Sequence, residues 1–218
     1  MKILSIVGAR PQFIKTAPVG RELTKQGHEN VLVHTGQHYD YKLSKVFFDE
    51  LNIPAPDFNL EIGANKPVQQ MSSMMKELAP IVEKVDPVCA ILYGDTNSTL
   101  AAAITVLKIG IPIIHIEGGE RNFTLDMKMV QPSSIPEEAN RVLVDHISEM
   151  IFCASKRSVK NLEIEGITCN VYRVGDVMLD TFSQISRMAE TRSSIIKDLD
   201  LRRDGYSLAT VHRAINTD

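Results

Sequence analysis

Charged and polar side chains recur directly after short apolar runs in this chain of 218 residues. Arg10 and Lys15 follow the first run, Asp95 follows "VCAILYG", Glu117 follows "IPIIHI", and His212 follows "SLATV". Carboxylates and a histidine are typical groups for proton transfer. Two cations beside the start of a helix suit a phosphate. The spacing therefore indicates acid–base chemistry on a phosphate-bearing substrate.

The two cations lie in "GARPQFIK", with Arg10 at the end of the first predicted strand and Lys15 one turn into the following helix. A tight strand-to-helix turn alone explains the glycine and the proline. We favour a phosphate site, in which Arg10, Lys15 and the free N–H groups of the helix start bind the anion. The segment lacks both the G-x-G-x-x-G and the Walker A patterns, so we predict no dinucleotide cofactor there.

Two of the carboxylates follow strands that are predicted to be buried. Asp95, in "YGDTNSTLAAA", either caps the next helix or projects into a cleft, and the sequence leaves both open. Glu117 lies between a buried strand and a Gly-Gly pair. Carboxylates are rarely buried without a partner or a function, which favours a functional role for Glu117.

The segment "IPEEANRVLVDHIS" predicts a helix that begins near Pro136. Glu137 and Glu138 fall in its first turn, where the helix dipole favours negative charge. Helical spacing also places Glu138, Arg141 and Asp145 on one face, so an ion pair within the helix is the structural alternative. We predict that Glu137 joins Asp95 and Glu117 at one rim, as groups for proton transfer.

Metal binding is disfavoured by the spacing of the histidines. No H-E-x-x-H pattern or Cys–His cluster is present, and we predict no metal site. Among the histidines, His115 is expected in the core, whereas His212 at a strand tip is the one we expect to be functional. Cys89, Cys153 and Cys169 form no C-x-x-C pair, so we expect small buried residues in a reducing cytoplasm.

Strand-length apolar runs alternate with amphipathic helical segments, which predicts an α/β fold with a parallel sheet and helices on both faces. The predicted strands are 2–7, 30–34, 88–93, 112–116, 150–153 and 171–174. The predicted helices are one that ends near 26, 41–51, 68–84, 96–108, one that begins at 135 or 136, 155–165 and a long one over about 178–197. Ligands of such sheets bind at the carboxyl ends of the strands, where the candidate residues lie.

The alternation weakens after Gly175, and we predict a domain boundary there. Residues 1–175 form a Rossmann-like domain, 176–205 a connecting helix and linker, and 206–218 the first strand of a second α/β unit. The net charge of −3 and the lack of a basic patch disfavour nucleic acid as a partner. No apolar run is long enough to span a membrane or to act as a signal peptide.

Eight segments, in order, resemble the signature of the non-hydrolysing UDP-N-acetylglucosamine 2-epimerases. They are "GARPQFIK", "HTGQHYD", "FFDELNIPAPDFNL", "GDTNSTLAAA", "HIEGGER", "PEEANRVLVDHIS", "VGDVMLD" and "ATVHRAINTD". The resemblance implies a GT-B fold, in which two Rossmann-like domains enclose a UDP-sugar, with this chain as the N-terminal portion. It also implies a cytoplasmic homodimer that needs no cofactor.

The family reaction eliminates UDP to give a 2-acetamidoglucal, and UDP then adds back with inversion at C2. Carried over by motif, the acid–base residues are Asp95, Glu117, Glu137 and His212. The substrate-binding residues carried over are Arg10, Lys15 and Arg141. Without the rest of the second domain, residues 1–218 alone are expected to bind and convert UDP-sugar poorly.

Three departures from the family pattern bear on the reaction and the sugar. "HIEGGERN" replaces the usual HVEAGLRS and resembles the hydrolysing 2-epimerases, although "PEEANRVLVDH" is of the non-hydrolysing kind. The inserted "NFTLDMKMVQPSS" could fit a modified sugar such as a diacetamido-uronic acid. Ile215 replaces a glutamate of the usual HRxEN. The sequence is also compatible with a GT-B glycosyltransferase and with a non-catalytic nucleotide-sugar-binding domain.

Overall fold

A computed structural model of the chain describes residues 1–37, 45–202 and 204–210. The strands are β1 (Lys2–Val7), β2 (Glu29–His34), β3 (Phe58–Asn59), β4 (Cys89–Tyr93), β5 (Ile113–Ile116), β6 (Met150–Cys153) and β7 (Val171–Arg173). The helices are α1 (Arg10–Lys25), α2 (Lys45–Glu50), α3 (Pro67–Val85), α4 (Asn97–Ile109), α5 (Pro136–His146), α6 (Lys156–Ile164), α7 (Val177–Arg192) and α8 (Ile195–Asp198). A 3-10 turn at Pro132–Ser134 precedes α5.

The strands within the described residues form one parallel sheet in the order β3-β2-β1-β4-β5-β6-β7. This confirms the predicted Rossmann-like sheet. The chain builds outward from β1 in one direction and then continues with β4 on the other side. The strand order therefore reverses between β1 and β4, and the carboxyl ends at such a point form a crevice where ligands bind.

Both faces of the sheet carry helices, as predicted. Alternate residues of β1 point to opposite faces, and Leu4 and Ile6 join one large apolar core with α3, α4 and α5. On the opposite face, Ile3 shares an apolar groove of about 440 Å³ with Val19 and Leu23 of α1. The strands read as continuous apolar runs because both faces are covered.

The turn between β1 and α1 lies very close to the start of α4. A Cβ atom on Gly8 would come within 2.0 Å of Thr35 Oγ1 and 2.2 Å of Ser98 Oγ. Only glycine fits this approach. The close approach brings the carboxyl ends of β1, β2 and β4 together.

The described chain forms two compact units, Met1–Thr181 and Phe182–Asp218. The first unit contains the sheet. The second contains the remainder of α7 and α8, and residues 206–210 have no assigned strand or helix. One helix over 178–197 was expected, but the helix is interrupted at Ser193 and Ser194, whose side chains compete for backbone hydrogen bonds. The predicted domain boundaries and the strand that begins the second α/β unit stay predictions, since 211–218 lie outside the described residues.

The cysteine prediction is correct only in part. Cys153 is buried and Cys89 is half-buried, but Cys169 is exposed in the turn before β7. Among the residues that the structure describes, no group of three His, Cys, Asp or Glu side chains could hold a metal ion. None of the described helices is long and apolar enough to span a membrane.

Candidate active site

A cleft of about 550 Å³ lies in the first unit at the carboxyl ends of the central strands. Its charged lining residues are Lys15, Asp95, Glu117, Glu120, Arg121, Arg141 and Asp176. Four of the predicted site residues therefore meet at one place, because parallel strands bring their carboxyl ends to one edge of the sheet. The apolar groove on the sheet face adjoins this cleft, since Glu117 and Asp176 line both.

The Lys15 ammonium donates to the Glu117 carboxylate in an ion pair across the cleft. Lys15 belongs to α1, and only 6% of its side chain is exposed, against 28% for Glu117. Burial lowers the pKa of Lys15 although the charges of Asp95 and Asp176 oppose that shift. Lys15 thus already has a carboxylate partner within the protein, which the predicted phosphate site did not anticipate.

Glu117 has a left-handed backbone conformation, with φ of 69°. Residues other than glycine rarely adopt this region, and they cluster at functional sites when the surroundings enforce it. The N–H groups of Glu117 and Gly118 both donate to the Phe152 carbonyl, at 3.0 and 3.1 Å. The turn after β5 is therefore fixed by β6 while the Glu117 side chain extends into the cleft.

The structure resolves the two interpretations of Asp95. Thr96 is the N-cap of α4, and its hydroxyl accepts the Thr99 N–H at 3.3 Å. The Asp95 carboxylate instead accepts from the Arg141 guanidinium in the cleft. The Asn140 amide also donates to the Asp95 carbonyl at 2.8 Å. Asp95 is thus a cleft residue, and α5 holds its backbone and its side chain.

The first turn of α5 turns the second of its two glutamates inward. Glu138 is fully buried, and its carboxylate accepts from Arg141 Nη1 at 3.0 Å and from the Asn122 N–H at 3.1 Å. Glu137 is exposed and does not line the described part of the cleft. The predicted catalytic role of Glu137 stays a prediction. Glu138 makes the ion pair with Arg141 that the helical spacing indicated, and it is the glutamate that contacts the cleft residues.

Two further predicted residues lie away from this cluster or outside the described residues. Arg10, the first residue of α1, is exposed and is not among the described lining residues of the cleft. His212 lies outside the described residues.

Gln12 is a structural residue of the site that the sequence reading missed. It is almost fully buried, and its side-chain oxygen accepts the N–H groups of Gly8 and Ala9 at 2.7 and 3.0 Å. Its amide donates to the Tyr93 carbonyl at 2.9 Å. Gln12 thereby joins the ends of β1 and β4. A glutamine at the third position of a helix is a known capping signal, and it could have indicated this role.

A second missed feature is an ionic network beneath the cleft. The helical spacing suggested that Asp145 pairs with Arg141, but the partners of Asp145 are other residues. It accepts from His115 Nδ1 at 2.7 Å and from Arg121 Nη1 at 2.8 Å. Burial alone would raise the pKa of Asp145, but the hydrogen bond and charge of His115, with Arg121, bring it below its ordinary value. His115 is fully buried, as expected for a core histidine.

Among the described lining residues of the cleft, Asn122 has a buried side-chain donor that makes no hydrogen bond. Its backbone N–H donates to Glu138, but its side-chain nitrogen is buried and has no hydrogen-bond partner within the described structure. A buried donor without a partner costs about 1–3 kcal/mol. It therefore marks a position where a ligand could supply the acceptor.

Comparison with known proteins connects this geometry with one family. A sequence model of the family described as UDP-N-acetylglucosamine 2-epimerase matches residues 21–218. A UDP-N-acetylglucosamine 2-epimerase homolog of Methanococcus maripaludis is 46% identical over the whole chain. The UDP-2,3-diacetamido-2,3-dideoxy-D-glucuronate 2-epimerase of Pseudomonas aeruginosa is 40% identical, also over the whole chain. The chain spans 59% of the length of each of these relatives.

A solved structure agrees with the sequence comparison. The UDP-GlcNAc 2-epimerase of Methanocaldococcus jannaschii, in complex with UDP-GlcNAc and UDP, matches with a TM-score of 0.84 and 35% identity. The match covers 92% of this chain and 53% of that one. Sequence and fold thus agree over nearly all of the chain, and the chain belongs to the UDP-N-acetylglucosamine 2-epimerase family.

Proposed function

We propose that residues 1–218 supply the acid–base part of a UDP-N-acetylglucosamine 2-epimerase. The observation that carries the proposal is the pair of carboxylates on neighbouring strand ends, Asp95 and Glu117, each ion-paired with a cation in one cleft. Inversion at C2 requires that a proton leaves one face of the carbon and that another arrives on the opposite face. Two separately held carboxylates suit these two transfers.

The proposed reaction balances without a cofactor. One group takes the C2 proton while the bond between C1 and the UDP oxygen breaks, which gives a 2-acetamidoglucal and UDP. The diphosphate then attacks C1 again, and C2 is protonated on the other face. We propose Asp95, Glu117, Glu137 and His212 as the groups that transfer protons. Their assignment to acid and base stays open.

The departing diphosphate needs cations. We propose that Arg10, Lys15 and Arg141 bind the substrate, with the N–H groups at the start of α1 as further donors. Lys15 and Arg141 are held by carboxylates in the structure. A bound diphosphate would therefore share these two cations with Glu117 and Asp95. This arrangement would couple departure of UDP to the charge of the proton-transferring groups.

The charges of the cleft favour an uncharged sugar over a uronic acid. Its described lining residues include four carboxylates and three cations, and each cation is ion-paired with a carboxylate. The diphosphate would already share two of these cations, so a uronate would add a further negative charge beside four carboxylates, and an unpaired carboxylate is costly to bury. We therefore propose N-acetylglucosamine, rather than the diacetamido-uronic acid of the P. aeruginosa relative, as the sugar.

The decisive test follows the C2 hydrogen of UDP-N-acetylglucosamine in D2O by proton NMR. It uses residues 1–218 alone and a hybrid enzyme in which they replace the matched part of the M. jannaschii relative. We expect the hybrid enzyme to exchange the C2 hydrogen and to form the manno epimer. Residues 1–218 alone should show little turnover, because they span only 59% of the length of the two sequence relatives and lack the part that would complete the site.

Different outcomes of this test would identify a different activity. Free N-acetylmannosamine with UDP indicates a hydrolysing epimerase, and transfer to an added acceptor sugar indicates a glycosyltransferase. Turnover of only a diacetamido-uronic acid overturns the proposed sugar. Binding of UDP-N-acetylglucosamine with retention of the C2 hydrogen overturns the proposed reaction. The predicted homodimer and cytoplasmic location stay predictions.

We also propose that the side-chain amide of Asn122 donates to an acceptor of the bound sugar. We expect Asn122→Ala to raise the KM of the hybrid enzyme for UDP-N-acetylglucosamine about tenfold, since a hydrogen bond contributes roughly 1 kcal/mol. The same change should not lower the free energy of unfolding, because the nitrogen has no partner within the described structure. Steady-state kinetics and urea unfolding measure the two effects.

Asn161→Ala is the matched control for this prediction. The Asn161 amide donates to the Gly119 carbonyl at 2.8 Å, so its loss should destabilise the fold by about 1–3 kcal/mol. If Asn122→Ala leaves KM unchanged, or destabilises the fold as much as Asn161→Ala does, Asn122 is not a sugar-binding residue.

A further inference from the structure

His115 occupies the centre of the buried network beneath the cleft. It lies on β5, with Leu92 of β4 on one side and Ile151 of β6 on the other, and it is fully buried. One ring nitrogen is 2.7 Å from a carboxylate oxygen of Asp145, and the other is 2.8 Å from the Gly94 carbonyl. An ionised carboxylate and a carbonyl can only accept hydrogen bonds. Both ring nitrogens thus contact oxygen atoms, one on the Asp145 side chain and one on the Gly94 backbone.

Asp145 continues the network toward the turn after β5. One of its oxygens accepts from His115, and the other accepts from the Gly119 N–H at 3.0 Å and from Arg121 at 2.8 Å. Arg121 in turn makes a bidentate pair with Glu165, at 2.7 and 2.6 Å. The Arg121 guanidinium thus lies between the two carboxylates of Asp145 and Glu165. Such buried clusters are a weak source of stability compared with apolar packing, so a role in positioning is the better explanation.

The ends of this chain of hydrogen bonds lie beside the two proposed catalytic carboxylates. Gly94 directly precedes Asp95, and Gly119 is two residues after Glu117. The backbone ladder between β4 and β5 ends with the Gly94 N–H bonded to the Ile116 carbonyl at 3.0 Å. Beyond that bond, the side chains of His115 and Asp145 connect the two strand ends, through the Gly94 carbonyl on one side and the Gly119 N–H on the other.

The turn that carries Glu117 also requires this support. Glu117 has a φ of 69°, and a Cβ atom on Gly118 would lie 2.7 Å from Asp145 Oδ1. Gly119 has a φ of 77°, and its own Cβ would lie 2.4 Å from the Ser158 carbonyl oxygen. A left-handed residue costs of order 1–3 kcal/mol and persists only where its surroundings enforce it. Asp145 packs against this turn and accepts from its Gly119 N–H, and Asn161 donates to the Gly119 carbonyl.

We propose that His115 and Asp145 are positioning residues that fix the separation of the Asp95 and Glu117 carboxylates. His115 is not a catalytic residue, because it is fully buried and both of its nitrogens are occupied. The importance of His115 for catalysis rests on the proposed function. The hydrogen-bonded link between the strand ends does not depend on that function. Misplacing a reacting group by about 1 Å can cost about 100-fold in rate, so a fixed separation has a measurable value.

Two substitutions of His115 separate the two hydrogen bonds. His115→Asn keeps an amide nitrogen near the position of Nδ1, so it retains a donor for Asp145 and loses the bond to Gly94. His115→Gln keeps an amide nitrogen near the position of Nε2, so it retains a donor for Gly94 and loses the bond to Asp145. Both changes replace the ring by a neutral amide, so a difference between them reports on which of the two contacts is kept.

The link itself is tested on residues 1–218 by NMR. In His115→Asn the Gly94 carbonyl loses its contact with the ring, so we expect the Gly94 N–H, which donates to the Ile116 carbonyl at the same strand end, to exchange about tenfold faster. In His115→Gln the Asp145 carboxylate loses its contact with the ring, so we expect the Gly119 N–H, which donates to that carboxylate, to exchange about tenfold faster. Equal exchange of both amides in both variants, or no change of either, overturns the link.

Its importance for catalysis is tested in the hybrid enzyme. We expect both variants to lower kcat by about 10–100-fold per folded molecule, with KM for UDP-N-acetylglucosamine changed less than about threefold. A merely structural role would lower the melting temperature and leave kcat per folded molecule unchanged, which overturns the positioning role. If the unsubstituted hybrid enzyme is itself inactive, the proposed function fails, while the exchange rates in residues 1–218 still decide the link.

Discussion

Replacing Glu117 with glutamine is expected to slow epimerisation by the hybrid enzyme by about 10²–10⁴-fold, the usual contribution of a general acid or base. Glutamine keeps the size and the hydrogen-bonding shape of the side chain but cannot exchange a proton. The left-handed backbone of Glu117 and its contact with Lys15 constrain the position of this carboxylate in the cleft. The measurement is kcat with UDP-N-acetylglucosamine, together with the rate of C2 deuterium uptake.

Glu120 provides a matched control, because it lines the same cleft and accepts from the Ser158 hydroxyl at 2.5 Å. Glu120→Gln should change kcat by less than about tenfold, the effect of one neutral hydrogen bond. If Glu117→Gln keeps more than a tenth of the activity, or if Glu120→Gln is the more damaging change, Glu117 is not one of the proton-transferring groups.

The second large effect is expected on stability. Asp145→Ala should lower the free energy of unfolding of residues 1–218 by about 3–5 kcal/mol, because it leaves the buried Arg121 charge and the His115 ring without their shared partner. Urea unfolding at neutral pH measures the change. The control is Glu137→Ala on the same helix, which removes an exposed carboxylate and should cost no more than about 1 kcal/mol. If Asp145→Ala lowers the free energy of unfolding by less than about 1 kcal/mol, as is expected of the exposed control, the buried network is contradicted.

The pH dependence of this loss has a definite sign. Asp145 has a pKa below its ordinary value of 3.8 in the folded protein, since the stabilising contacts with His115 and Arg121 outweigh the effect of burial. Its contribution is therefore present above pH 3.8 and is lost as the pH falls through the lower folded-state pKa. The difference between the unsubstituted chain and Asp145→Ala should shrink under acidic conditions. A difference that grows on acidification would rule out an ionised Asp145.

The sheet was predictable because its strands are covered on both faces and read as short continuous apolar runs. β6 has the predicted bounds, and β1 does as well. β3 could not be recognised, because its two residues become a strand only by pairing with β2. The interruption between α7 and α8 was missed since the apolar spacing continues across Ser193 and Ser194.

The site was predictable in kind but not in detail. The topology of a parallel sheet brings the residues after β1, β4 and β5 to one edge, so Lys15, Asp95 and Glu117 could be grouped from the sequence. The inward orientation of Glu138 depends on the backbone of Asn122, which is distant in sequence. The partners of Asp145 likewise come from β5 and the following turn rather than from its own helix. Local spacing contains no information on such contacts.

The position of β1 in the sheet has a consequence for synthesis on the ribosome. β1 is made first, yet it is a central strand that pairs with β2 and also with β4, where Ile3 lies opposite Cys89. The nascent chain can form the β1–β2 pair early, but one edge of β1 stays open until β4 has left the exit tunnel. During that interval an apolar strand with unpaired backbone groups is exposed, which is a hazard for aggregation. We expect chaperones that protect emerging chains to bind within the first ninety or so residues, a window set by the late arrival of β4.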